Sequence, residues 1–207
     1  MRRCSGREMG MVHIHKIHAE PLTPDSFAAF GQVLGPREQK PLTNRDFIDR
    51  GLIRTKDRIT ADRLGEFDVL DYWPGIADLV LDIPKLGFLR SRSVPPKVYW
   101  LERHLKGTQA YIPLGGKRSI LPVAPPKNLE DEDAVPDLNE IRAFLLDGTR
   151  GVNLSVGTWH WTPIPVRGTA EFIMLVRQNA AKEDLNFVDL CVRLNAAVEI
   201  ILDDPGV

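Results

Sequence analysis

The chain has 207 residues, 43% of them hydrophobic, which is enough to bury a core in one domain without disulfide staples. A formal net charge of -1 and a pI near 6.5 exclude the broad basic footprint of a nucleic-acid or anionic-membrane binder. Two cysteines, Cys4 and Cys191, at opposite ends of the chain and outside any CxxC pair, exclude a disulfide framework or a zinc knuckle and suit a reducing compartment.

Taken in chain order, Met1 to Gly10 is basic and polar without the apolar stretch of a secretory signal, so a cytoplasmic location is expected. Met9 and Met11 are alternative starts, which makes 1–11 a candidate disordered leader. His13-Ile14-His15-Lys16-Ile17-His18 reads as a strand with polar alternation, and no matching ligands surround it to make it a metal motif. Pro24-Asp25-Ser26 starts a short helix, with Asp25 or Ser26 as cap and Gly31 near its end. Lys40 to Arg63 is densely charged and nearly patternless, a long loop or an interface element.

From there, short apolar runs punctuated by proline and glycine predict strands at Val98–Leu101, Gln109–Leu114, Ile120–Ala124, Val152–Val156 and Ala170–Arg177. Pro125 to Asp133 joins breakers to four consecutive acids and lacks the ligand spacing of a calcium loop, so it reads as a solvated loop. Asp137 to Ile141 predicts a short helical turn, whereas Arg142–Leu146 fits helix or strand equally. Phe187, Leu190, Cys191, Leu194, Val198 and Ile201 recur at threes and fours, which predicts an amphipathic C-terminal helix. No run of about 18 apolar residues, the length that spans a bilayer, occurs. The expectation is one all-β domain over 1–207 with short peripheral helices, acting on a small molecule, with no nucleic-acid or membrane partner.

The chemistry concentrates in two segments. On a strand, Trp100, Glu102 and His104 share one face and Leu101, Arg103 and Leu105 the other, which pairs a carboxylate with an imidazole. After a turn at Lys106-Gly107-Thr108, Gln109, Tyr111 and Pro113 line one face of the returning strand. The second segment is Gly157-Thr158-Trp159-His160-Trp161, where a lone histidine sits between two tryptophans. Taken without any relative, His104 and His160 are as readily structural as functional.

These offsets resemble the cupin pattern, in which H-x-H, an acid four or five residues on, and a later G-x-x-H supply metal ligands inside a β-barrel. Here Glu102-Arg103-His104 stands for H-x-H, Gln109 for the acid, and Gly157 with His160 for the last motif. The resemblance implies a cupin-like jelly-roll barrel. It also implies Glu102, His104, Gln109 and His160 as ligands of one divalent ion, with nickel, manganese, iron or zinc all suited to such donors.

The wording of the segments is more specific. Leu101-Glu102-Arg103-His104, Gly107-Thr108-Gln109-Ala110-Tyr111-Ile112-Pro113, Arg142-Ala143-Phe144 and Gly151-Val152-Asn153 before Trp159-His160 resemble ureidoglycolate lyases. So does Pro21 to Phe27 with Phe30-Gly31, and the likeness runs from His18 to Arg177. It implies a cytoplasmic, homodimeric enzyme of allantoin breakdown that splits ureidoglycolate into glyoxylate and urea. The chain departs from that pattern at Trp161, where bacterial members often carry a second histidine, at Lys40 to Asp71, in a shorter Arg92–Glu102 stretch, and in a longer, more apolar tail after Gln178.

That reaction needs one base for the hydroxyl proton and one acid for the departing nitrogen. His104, oriented by Glu102, is the candidate base and His160 the candidate acid, or the reverse. If the same residues hold a metal, the histidines are ligands instead. Arg92 and Arg103 are candidates for the substrate carboxylate, Arg92 the better placed because Arg103 falls on the face opposite His104. Gln109, Tyr111 and Asn153 are candidates for the urea end, with Asn153 also readable as a turn residue. Trp159 is a candidate substrate contact and, like Trp161, equally a packing residue. Two other readings stay open: a metal-dependent cupin that acts on another small 2-hydroxy acid or by dioxygenation, and a barrel that binds a small ligand without turnover.

Overall fold

The structure, a computed structural model, describes residues 12–37, 39–43, 46, 50 and 71–203. The chain forms two compact units, Met1–Leu34 with Leu79–Val207, and Gly35–Asp78. In the smaller unit Leu42 bridges Tyr72, the Trp73 indole donates to the Gln39 carbonyl, and Arg37 donates to that of Gly75. The candidate starts at Met9 and Met11, and most of the 40 to 63 segment, lie outside the described residues.

The larger unit begins with β1 (His13–Pro21), α1 (Pro24–Phe27) and β2 (Gly31–Leu34), and continues with β3 (Pro84–Arg92), β4 (Lys97–Val98), β5 (Trp100–Arg103), β6 (Gln109–Leu114) and β7 (Ser119–Ala124). A 3-10 turn at Leu138–Glu140 precedes β8 (Arg142–Leu146), β9 (Gly151–Leu154), β10 (Trp159–His160), β11 (Ile164–Pro165) and β12 (Thr169–Arg177). The chain ends with α2 (Ala180–Glu183), β13 (Asn186–Asp189), α3 (Leu190–Leu194) and β14 (Ala196–Ile201). The fold is all-β, as expected. Arg142–Leu146 resolves to a strand.

Two sheets carry these strands, one in the order β13-β5-β10-β7-β8-β1-β14-β4 with β11 also on β7, the other β2-β9-β6-β12-β3. Only Tyr99 separates β4, at one end of the larger sheet, from β5 near the other end, and one residue spans too little distance for a flat sheet. The larger sheet is therefore rolled, and the smaller one packs against it in the jelly-roll manner. Phe27, Phe30, Tyr111, Leu121, Phe144, Val152, Leu154 and Phe172 form the core between the sheets. Ile120, Ala124, Trp159 and Val198 belong to a second core on the other face of the larger sheet. This is why β7 is buried at all six positions: successive side chains feed different cores.

Local physics corrects two expectations. The cap of α1 is Thr23, whose side chain accepts from the Ser26 amide while the Ser26 hydroxyl accepts from the Thr23 amide, and the helix stops at Phe27. Gly31 opens β2, where a Cβ would lie 2.0 Å from the Asn153 carbonyl oxygen. The C-terminal helix is only the five residues of α3, capped by Asp189 and stopped by Asn195 in the left-handed region. Beyond it, β14 buries Val198 and Ile200 and runs parallel to β1. The threes-and-fours spacing here arose from a strand, a helical turn and a second strand, which bury Leu190, Cys191 and Val198 and leave Phe187 exposed.

Candidate functional site

The site grows from the pairing of β5 with β10. Leu101 and Arg103 turn to the second core side, so Glu102 faces the barrel interior. His160 is the direct antiparallel partner of Glu102, and partners in register project from the same face. His104 follows β5, and its carbonyl accepts the Gly157 amide at 2.7 Å, which ties the two histidine segments together. Gly157 turns the chain there with φ +82, and a Cβ would strike Leu129 at 2.1 Å.

These constraints bring Glu102, His104 and His160 together, with one ligand atom from each within 4.8 Å of the others. Glu102 Oε1 lies 3.5 Å from His160 Nε2, and the two imidazole rings are 5.6 Å apart. Their side chains are 20%, 7% and 1% exposed respectively, so the site opens on the Glu102 side.

A backbone carbonyl accepts from Nδ1 of each ring. His104 Nδ1 donates to the Asp184 carbonyl at 2.8 Å and His160 Nδ1 to the Thr158 carbonyl at 3.0 Å, because a carbonyl can only accept. In the neutral rings each Nε2 is then an acceptor, and both are buried without a protein hydrogen bond. Burial, then the neighbouring imidazole, holds His104 below its ordinary pKa, against the opposing pull of Asp184 and Glu102. Burial pushes Glu102 up, but the neighbouring His160, 3.5 Å away, and then His104 favour the charged form, outweigh it and leave the carboxyl below its ordinary value. Burial, then the charge of Glu102, raises the Tyr111 hydroxyl, which stays protonated. Two imidazole nitrogens and a carboxylate around one point fit a divalent metal ion, and the orphaned Nε2 atoms are the observation that supports the fit.

Gln109 and Tyr111 share the interior face of β6. The Tyr111 ring stands 6.2 Å from His160, and Gln109 donates to Met174 Sδ while its Oε1 is buried without a hydrogen bond. The structure does not bring the other expected residues here. Arg103 is fully buried on the opposite face, donating to Asn186 Oδ1 and to the carbonyls of Lys127, Asn128 and Asp131, with its guanidinium 4.4 Å above the Trp159 ring. Trp159 is a core residue of that same side. Arg92 is exposed at the end of β3, on the face it shares with Phe88 and Arg90. Asn153 donates to Gln32 on the face opposite Val152 and Leu154, which pack beside Tyr111. Glu102 contacts His160, and Asp184, 80 residues away, orients His104 in its place.

Sequence reasoning missed Asp184 and Thr158. No signal marks Asp184, since its contacts cross the whole chain, whereas Thr158 was readable as the residue two before His160. Trp161, at the position where a second histidine is common, packs its ring against Trp100 at 6.1 Å and Phe187 at 6.2 Å.

Comparison with known proteins gives the same assignment independently of this geometry. The family profile described as ureidoglycolate lyase matches residues 14–197. A ureidoglycolate lyase of Burkholderia mallei (strain NCTC 10229) is 35% identical over 159 residues, covering 76% of this chain and 80% of its own. One from Pseudomonas syringae pv. tomato is 30% identical over 163 residues, covering 78% and 82%. One from Escherichia coli O139:H28 is 28% identical over 181 residues, covering 85% and 98%. Among solved structures, RmlC from Streptococcus suis overlays 45% of this chain and 43% of its own with a TM-score of 0.30 and 9% identity, too slight a likeness to bear on the site. With the profile spanning nearly the whole chain and relatives above 30% identity, this chain belongs to the ureidoglycolate lyase family.

Proposed function

We propose that this chain is a ureidoglycolate lyase that splits ureidoglycolate into glyoxylate and intact urea. The observation that carries the reading, beside family membership, is the convergence of two imidazole Nε2 atoms and one carboxylate on a single buried point. The reacting carbon bears a carboxylate, a hydroxyl and a ureido nitrogen. Loss of the hydroxyl proton lets the carbon–oxygen double bond form as the carbon–nitrogen bond breaks, and the departing nitrogen takes a proton to become urea. His104, held neutral by burial, is the base at Nε2. His160, whose Nε2 lies 3.5 Å from the Glu102 carboxylate on the same interior face, is the acid. Tyr111 and Gln109 line the same interior face and orient the ureido group.

In a metal-bound alternative to that scheme, Glu102, His104 and His160, with Gln109 as a further donor, would hold a divalent ion, and the two histidines would be ligands instead of proton carriers. Bound there, such an ion supplies positive charge for the substrate carboxylate and the developing alkoxide. Neither arginine expected to bind that carboxylate faces the cluster, which favours this reading. The same donors, two histidines and a carboxylate, also suit non-haem iron oxygenases, so a second reading is oxygen chemistry on a small 2-hydroxy acid.

The proposal also has the chain working in the cytoplasm as a homodimer, one domain per subunit. Among the described residues no helix is long and apolar enough to cross a membrane. The dimer is supported by Leu86, Phe88, Ile112 and Leu114, exposed together on the outer face of β3, β12 and β6.

Incubation with ureidoglycolate tests the function. Glyoxylate and urea are expected in equal amounts above spontaneous decay, with ammonia and dissolved oxygen followed in the same sample. Ammonia as the primary nitrogen product overturns the lyase assignment, and oxygen uptake selects the second reading.

A further inference from the structure

We infer that Asp184 is a positioning residue for the active site, locking the His104 ring in the Nδ1–H tautomer and holding the strap 178–185 against the turn that follows β5. This rests on reading His104 as a site residue. Asp184 touches three consecutive residues of that turn. Its main-chain oxygen accepts from His104 Nδ1 at 2.8 Å, and its Oδ1 accepts from the amides of Leu105 and Lys106 at 2.7 and 2.8 Å. Lys106 Nζ donates to the Glu183 carbonyl and Arg177 donates to Glu183 Oε2, so the strap is also tied at the residue before the aspartate.

The remaining oxygen explains why the residue is an acid. The side chain is 1% exposed, and taking a carboxylate out of water costs several kcal/mol. Two amide donors alone do not require a charge, since an asparagine oxygen accepts them equally well. Oδ2, buried without a hydrogen bond, lies 4.0 Å from His104 Nδ1. An oxygen at that place favours a proton on Nδ1, whereas an asparagine would aim N–H groups at it and oppose that tautomer. With Nδ1 protonated, the Nε2 acceptor is presented to Glu102 and His160. The carboxylate acts through His104 and need not touch substrate.

Asp184→Asn separates this role from a merely structural one. It keeps both amide bonds, so the Tm should stay near that of the wild type, while Asp184→Ala, which loses them, should melt lower. In protein labelled with nitrogen-15 histidine, the ring shifts of the five histidines report which nitrogen carries the proton. Wild-type His104 is expected as Nδ1–H. In Asp184→Asn its shifts should move toward the other tautomer, with kcat on ureidoglycolate down about 10- to 100-fold and KM little changed, the usual scale for a residue that orients a site residue. His160→Ala should leave the His104 tautomer unchanged. A wild-type His104 protonated at Nε2, or an Asp184→Asn protein with wild-type shifts and kcat, overturns the inference. The ring shifts do not depend on turnover, so a protein that proves inactive on ureidoglycolate would refute the proposed function while the positioning role is still read.

Discussion

The two ends of the barrel interior are built by different elements, α1 and β8 at one and β5, β6 and β10 at the other, and obey opposite rules. At one end Phe27, Phe30 and Phe144 meet with ring centroids 5.1 to 5.8 Å apart, in tilted and edge-on contacts typical of a packed apolar core. At the other end lie the buried His104, His160 and Gln109 with the partly open Glu102, and three of those four leave a buried polar atom without a hydrogen bond. A buried, unsatisfied acceptor costs roughly 1–3 kcal/mol, so the polar end is built against stability and the aromatic end for it. The difference supports the proposed site: one end anchors the sheets and the other uses their rigidity to hold costly groups in place.

Breaking the aromatic end should have the largest effect. Phe144→Ala should destabilise the fold by about 3–5 kcal/mol, read as a lower midpoint in denaturant, while activity per folded molecule changes little. Removing a group from the polar end should do the reverse. His160→Ala should lower the rate on ureidoglycolate by at least ~100-fold while stability stays the same or rises slightly. A fall in stability like that of Phe144→Ala would erase the contrast.

Arg103 sharpens the comparison because it was expected at the active end and lies outside it. Arg103→Met should cost about 1–3 kcal/mol through the acceptors it leaves unpaired, with KM unchanged. A raised KM without destabilisation would return Arg103 to the substrate.

Acid should act on the polar end. His104 is held below its ordinary value of 6.5, so the unfolded chain takes up that proton more readily and stability is lost as pH falls below 6.5. Glu102 is also held below its ordinary value of 4.5, and its contribution, full above that value, is lost at lower pH still. Both shifts favour unfolding in acid. The fall in Tm from about pH 7 to about pH 5 should be smaller in His104→Ala, while Phe144→Ala should keep the wild-type slope. The smallest effect is expected at Arg92, where substitution by Ala on the exposed face of β3 should leave kcat and KM within about twofold, as for a surface change away from the site.

Much of this was legible because it depends on neighbours along the chain. The two-residue period of β5 separates Glu102 from Leu101 and Arg103, the Gln109–Leu114 strand was read with its observed bounds, and Gly157 with His160 marked the second motif. The period says which side chains share a face, not what covers that face. Nothing in Arg103 announces the carbonyls of Lys127, Asn128 and Asp131 that surround it, or in Asn153 its pairing with Gln32.

What the sequence by itself determined, then, is the all-β class, the strands that carry the site, the three groups that meet there and the family. What only the tertiary structure decided is which partner each group serves: Glu102 for His160, Asp184 for His104, and Arg103 and Trp159 for each other on the far side of β5 and β10. The physical reason is range. Alternation and turn chemistry act over a few residues, whereas the ring of His104 is held by an oxygen 80 residues away in the chain and 2.8 Å away in space.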